Sequence, residues 1–241
     1  MAEFWLQEAA AAFEEVLRLE TQEGRPAARE RLAVLREAYL ALRDASLDRP
    51  LAELEPTGRG DAKVARTRGT WVLWMLRQVL GPLTFREIWS TPDGPLLTTG
   101  SLKRALDLGH RALGDSQTEP NAQHLTPTDQ HWNGFFDYWV YSTSLPQYRL
   151  LSATMKGTAG AYTVTLKIAN RGTGTIPAPL VVQTEEGARH EFALAVPGGA
   201  TSEVRYTLIT KPVAAAVDPE GDLLQAEASG EWQVVKTRRW F

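Results

Sequence analysis

The sequence has 241 residues, of which 43% are hydrophobic and 23% charged, a composition that excludes wholesale disorder. Its 26 Lys and Arg against 29 Asp and Glu leave a formal net charge of −3, which argues against a broad phosphate-binding surface and so against a nucleic-acid partner. Cysteine is absent, so there is no disulfide framework, thiol nucleophile or thiolate metal site. No apolar run approaches the roughly 20 residues of a membrane span. The opening MAEFWLQEAAAAFEEVL lacks the basic start and apolar core of a secretion signal, so the chain as it stands reads as soluble.

The first helix is predicted from Phe4, Leu6, Ala9, Ala10, Phe13, Val16 and Leu17, which recur at three- and four-residue steps. Gly24 ends it, and Pro26 suits the first turn of a second helix over 27–43, striped by Leu32, Leu35, Tyr39, Leu40 and Leu42. Residues 44–61, with Pro50, Pro56, Gly58 and Gly60, read as a long loop. A third helix over 64–80 is apolar almost all round and is expected in the middle of the bundle. Shorter helices are expected at 83–89 and 101–113. A polar surface insertion is expected at about 114–134, and a short aromatic helix at 135–141.

After Pro146 the period changes from 3.6 to 2. Tyr162, Val164, Leu166 and Ile168 alternate with polar residues, as do Phe192, Leu194 and Val196, and Val204, Tyr206 and Leu208. Turn signals at Lys156-Gly157, 170–174, Glu186-Gly187 and Gly198-Gly199 separate the runs. The fold class expected is therefore α+β multidomain: an N-terminal α-helical bundle over 1–146, then a C-terminal immunoglobulin-like antiparallel β-sandwich over 147–241.

Four segments in order resemble the C-terminal half of an M1 (gluzincin) aminopeptidase. FFDYWVYSTSLPQYRL at 135–150 is similar to the family's FFDQWVYGTGxPxYxL, and ARTRGTWVLWMLRQVLG at 65–81 to its YxKGxxVLxMLRxxLG helix. FWLQEAAAAFEEV at 4–16 is similar to WLNEGFAxYxE, and VAAAVDPEGDLL at 213–224 to VxLDPxxxLL. The resemblance implies zinc aminopeptidase ancestry. In that family the metal is held by two histidines of HExxH and by a glutamate on the next helix, and the motif's own glutamate activates the zinc-bound water.

Glu8 occupies the position of that third ligand, a vestigial one here, because only seven residues precede it and no HExxH stands before it. His190-Glu191 is a chance match in a predicted strand, without the second histidine. The family's transition-state tyrosine corresponds to Arg66, and neither Tyr39 nor Tyr141 offers a substitute. No catalytic residue is assigned and no cofactor is expected for this chain alone, although the family uses zinc. It is expected to have no peptidase activity by itself.

Phe4, Phe13 and Val16 are expected to leave an apolar face on the first helix that a partner covers. The partner would be a separately encoded catalytic half or a second copy of the chain. The function expected is a non-catalytic C-terminal portion or subunit of an M1-like zinc metallopeptidase that braces the cleft and contacts protein. The alternatives are a stand-alone pseudoenzyme or protein-binding module that dimerises through its helical face, and a truncated product without a role of its own. Family members are often secreted or periplasmic, and any such signal would lie upstream. Other features read as structural. His110, His124 and His131 fit no common ligand spacing, and Trp132, Phe135, Phe136, Tyr138, Trp139 and Tyr141 are expected as core rather than as a sugar or peptide platform. Lys236, Arg238 and Arg239 form a frayed basic tail.

Overall fold

The computed structural model describes residues 3–89, 98–113, 129–227 and 230–237, with side chains of 107–113 and 129–131 left aside. The chain divides into two compact units, Met1–Thr143 and Ser144–Phe241.

In the helical unit α1 (Phe4–Glu23) buries Trp5, Leu6, Ala9, Phe13 and Val16, the stripe that the periodicity marks out. Gly24, at φ 92°, turns the chain directly into α2 (Arg25–Asp44), which buries Ala28, Leu32, Leu35 and Tyr39. A positive φ of this kind favours glycine because it has no Cβ. The loop expected next contains a 3-10 turn (Leu51–Glu53) whose Leu51 is buried, as is Leu54 just beyond it.

The third expected helix starts three residues early and is not uniform. It comprises α3 (Asp61–Val64), a π-helical turn (Ala65–Gly69) and α4 (Thr70–Leu80). Every residue from Trp71 to Leu76 is buried, which places this helix inside the bundle as its apolar circumference requires. At Gly69 a Cβ would lie 2.6 Å from the Ala9 Cβ, so the absence of a side chain lets α1 and the π turn approach closely. Two further helices follow, α5 (Pro82–Trp89) and α6 (Thr99–Leu113).

The last helix of the unit, α7 (Asp129–Trp139), begins six residues before the expected start at Phe135. Asp129 to Gly134 are therefore helical, which corrects that end of the expected 114–134 insertion. The remainder, 114–128, lies outside the described residues.

The second unit holds two four-stranded sheets. One has the order β5-β2-β1-β8 and the other β4-β3-β6-β7. The strands are β1 (Tyr148–Thr158), β2 (Ala161–Asn170), β3 (Pro177–Thr184), β4 (Arg189–Ala195), β5 (Thr201–Leu208), β6 (Pro212–Val217), β7 (Gln233–Val234) and β8 (Lys236–Thr237). The α+β class is as expected. Inward alternation puts Val164, Leu166 and Ile168 of one sheet and Leu180, Val182 and Ala215 of the other into the core.

Two details differ from the sequence reading. β1 runs through the expected turn at Lys156-Gly157 and closes at the next glycine, Thr158 pairing with Ala161 around Gly160 at φ 87°. The pairing is antiparallel throughout except where β8 joins β1 in parallel. Leu151 sits at a shift in the β1–β2 register between Leu150 and Ser152.

Strand ends carry a buried polar network. The Asn170 Oδ1 accepts from the Gln147 and Gly172 amides, both at 3.0 Å, and its Nδ2 donates to the Gly174 carbonyl at 3.1 Å and the Val196 carbonyl at 2.9 Å. Asp218 adopts φ 48° after β6, and its carboxylate accepts from the Asp222 amide (2.8 Å), the Leu223 amide (3.3 Å) and the Gln225 Nε2 (3.0 Å). Gln225 in turn accepts from the Tyr148 amide at 2.8 Å. The 213–224 segment is thus a strand followed by a carboxylate-organised loop.

Candidate functional site

Glu8 lies on α1 and Arg66 in the π turn, 58 residues apart in sequence, yet the Arg66 Nε donates to the Glu8 Oε2 at 2.6 Å. Their side chains are 25% and 61% exposed respectively, so the pair sits at the surface of the helical unit. The close approach at Gly69 is what brings the two elements together. Thr70 Oγ1 reinforces the turn by donating to the Arg66 carbonyl at 2.5 Å and toward the Ala9 carbonyl at 3.4 Å.

Two residues further along, Arg68 is fully buried. Its guanidinium donates to the Tyr39 hydroxyl at 3.0 Å, to the Ser142 carbonyl at 2.5 Å and to the Tyr138 carbonyl at 3.4 Å, and stands 3.6 Å from the Asp48 carboxylate. Tyr39 donates to Asp48 at 3.0 Å and accepts from Arg43 at 3.1 Å, while Arg43 also reaches Asp48 and donates to the Thr143 carbonyl at 2.6 Å. Burial raises the Tyr39 pKa above the ordinary phenol value, with Arg68 opposing and Asp48 adding to the shift. Sequence reasoning passed over Arg68. The available signal is a cation three positions before the apolar run Trp71–Leu76, on a helix with no exposed face to spare.

The other expected residues are placed as follows. Phe13 and Val16 are fully buried and Phe4 is half-buried, which corrects the expectation that they form an open apolar face. The reason is α5: the Phe13 ring lies 5.5 Å from Phe85 and 6.0 Å from Trp89, both edge-on, so the chain covers this stripe itself. Tyr39 has its hydroxyl fully engaged, and Tyr141 is 53% exposed. Trp132, Phe136, Tyr138 and Trp139 are buried, as the core reading expects, whereas the exposure of Tyr141, just past the end of α7, corrects that reading at its last member. His190 and Glu191 lie in β4. His124, Arg238 and Arg239 lie outside the described residues.

The described donor set does not fit zinc. The Glu8 carboxylate is already bonded to a cation, and among the described residues no three His, Cys, Asp or Glu side chains stand close enough to hold a metal ion.

No protein-family model matches the sequence, and no curated protein matches it. The fold is similar to the crystal structure of Legionella pneumophila aminopeptidase A in complex with aspartic acid. That match has a TM-score of 0.52 and 14% identity, over 98% of this chain and 24% of that one. The chain has a distant aminopeptidase-like fold. It spans about a quarter of the length of that structure. Among the described residues no helix is long and apolar enough to cross a membrane.

Proposed function

We propose that this chain is the non-catalytic C-terminal portion or subunit of an M1-like zinc aminopeptidase, bracing a cleft whose metal-binding half is another polypeptide segment. One observation carries the reading. The two positions that the resemblance assigns to the third zinc ligand and the transition-state tyrosine, Glu8 and Arg66, are adjacent in the folded chain, and they are bonded to each other. Their adjacency supports the ancestry, because nothing in their sequence separation demands it. The identity of the second residue supports the loss of catalysis. A guanidinium beside the carboxylate neutralises the ligand and repels a dication. The aminopeptidase-like fold supports the same ancestry.

The test is metal analysis with aminoacyl-arylamide hydrolysis, on this polypeptide alone and mixed with the product of any neighbouring reading frame that carries HExxH. The expected result is neither stoichiometric zinc nor turnover by the chain alone, and any turnover in the mixture should be unchanged when Glu8 is replaced by Gln, since the chain contributes no ligand. Stoichiometric zinc and turnover by this polypeptide alone would overturn the reading. The alternative of a dimer through the α1 apolar face loses its surface, because Phe13 and Val16 are covered within the chain.

A further inference from the structure

The two sheets end on β5, β8, β4 and β7. β7 and β8 are two residues long each, too short to template another strand. β5 (Thr201–Leu208) is the longest of the four, paired with β2 in unbroken register on one side and, among the described residues, with no strand on the other. It carries none of the devices that close an edge: no proline, no lysine, no bulge and no charge on its inner face.

Hairpin geometry fixes which backbone groups of β5 face outward. Thr158 and Ala161 flank the two-residue β1–β2 turn as a hydrogen-bonded pair, so odd-numbered residues of β2 bond β1 and even-numbered ones bond β5. Because Leu166 pairs with Val204, the even residues of β5 turn their amides and carbonyls to β2. The bond from the Asn170 amide to the Ala200 carbonyl has the same parity. Thr201, Glu203, Arg205 and Thr207 therefore turn theirs to the free edge, and their side chains are exposed on the outer face. On the inner face Val204 and Tyr206 are only half-buried, the Tyr206 ring stacked 3.7 Å from Phe192 of β4.

We propose that the free edge of β5 pairs with the β5 edge of a second copy of this chain, antiparallel about a two-fold axis at Val204. Parity and charge select this register. Odd residues must oppose odd ones, since they hold the free groups. Among the registers that overlap most of the strand, one centred on Glu203 would oppose glutamate to glutamate, and one centred on Arg205 arginine to arginine. Centring on Val204 sets Glu203 of each copy opposite Arg205 of the other and Thr201 opposite Thr207. Every free amide and carbonyl from Thr201 to Thr207 then has a partner. The pair that Arg205 and Glu203 already form within one chain, at 2.6 Å, becomes half of a four-charge cluster of alternating sign. On the inner face the two Val204 side chains meet and Ser202 lies beside Tyr206, which covers what each sandwich leaves half-exposed. All these residues belong to the sheet unit, so the proposal does not rest on the peptidase reading, and oligomeric mass is read independently of zinc and turnover.

Light scattering after size exclusion on the full chain, from about 1 to 200 μM, tests it: the mass should rise with concentration to twice the 26.7 kDa of the chain. At the upper end NMR-detected hydrogen exchange should find the Glu203, Arg205 and Thr207 amides protected, and dilution should remove that protection. Arg205→Pro deletes a free-edge N–H without touching the β2 ladder and should weaken the dimer about tenfold or more. Glu203→Arg and Arg205→Glu each set like charges opposite one another and should weaken it about tenfold, while the double reversal restores it. Glu203 also pairs with Lys167 of β2 in register, so a circular-dichroism melt verifies that each variant is folded, and the wild-type exchange measurement stands whatever the variants do. A wild-type monomer at every concentration, a dimer whose Glu203 and Arg205 amides exchange as freely as the monomer's, or a folded double reversal no better than the singles would each overturn the proposal.

Discussion

In the helical unit a charge is fully buried, the Arg68 guanidinium, held by a phenol, a carboxylate and two backbone carbonyls. In the sheet unit the corresponding positions are taken mostly by neutral amides, Asn170, Gln147 and Gln225, each matched to backbone groups at strand ends. The difference follows from architecture. Sheets satisfy their own backbone and leave only strand termini to be tied off, a task for an amide with two donors and two acceptors. The helical unit must instead fasten an irregular stretch, 138–143, whose carbonyls have left helical pairing, and a guanidinium with a fixed fork of donors can hold several at once.

The comparison is open to direct attack. Arg68→Met should have the largest effect, destabilising by about 3–5 kcal/mol, because it removes the donor to the Ser142 carbonyl and one of the two cations beside the buried Asp48 carboxylate. Chemical denaturation with fluorescence of the tryptophan-rich helical unit would measure it. Asn170→Ala should cost about 2–3 kcal/mol by removing the acceptor of the Gln147 and Gly172 amides and a donor to the Gly174 and Val196 carbonyls, with the loss confined to the sheet unit. If Asn170→Ala exceeded Arg68→Met, the idea that the buried charge is the more sensitive device would fail. Gly69→Ala should cost about 1–3 kcal/mol, since α1 must move off the π turn to admit a Cβ. The same variant should weaken the Glu8–Arg66 pair, visible as a reduced salt dependence of stability.

Alkaline titration sharpens the contrast. Burial raises the pKa of Tyr39 in one unit and of Tyr148 in the other. A phenol whose folded pKa is raised contributes stability that is fully present below the unfolded value of about 10 and is lost as pH rises through the folded value. Unfolding free energy should therefore be flat to about pH 10 and decline above it, as urea melts at stepped pH would record. Smallest of all, Glu8→Gln should change stability by no more than about 1 kcal/mol, because the pair is surface-exposed and screened.

Much of the fold was legible from periodicity. The buried stripes of α1 and α2 and the alternation in β2 and β5 follow from spacing alone, and the all-round apolar α4 could only be interior. Non-local pairings were not legible. The stripe at Phe13 and Val16 looked open because the residues that cover it, Phe85 and Trp89, come some seventy positions later. The start of α7 was missed because Gly134 and its polar neighbours read as a turn, although Pro127 and Asp129 supply helix-start chemistry. The π turn has no sequence signature of its own: Ala65–Gly69 reads as ordinary helix until the approach of Ala9 is known. At the candidate site, Glu8 and Arg66 were found through resemblance, whereas their mutual bond depends on tertiary packing.

The Glu3 carboxylate accepts hydrogen bonds from the Trp5 indole at 2.9 Å and from the Thr99 amide, 96 positions away, at 3.0 Å. Two helix beginnings, those of α1 and α6, therefore share a single acceptor. Neither can fray without releasing the other, so amide exchange at the two starts should rise and fall together as one cooperative opening.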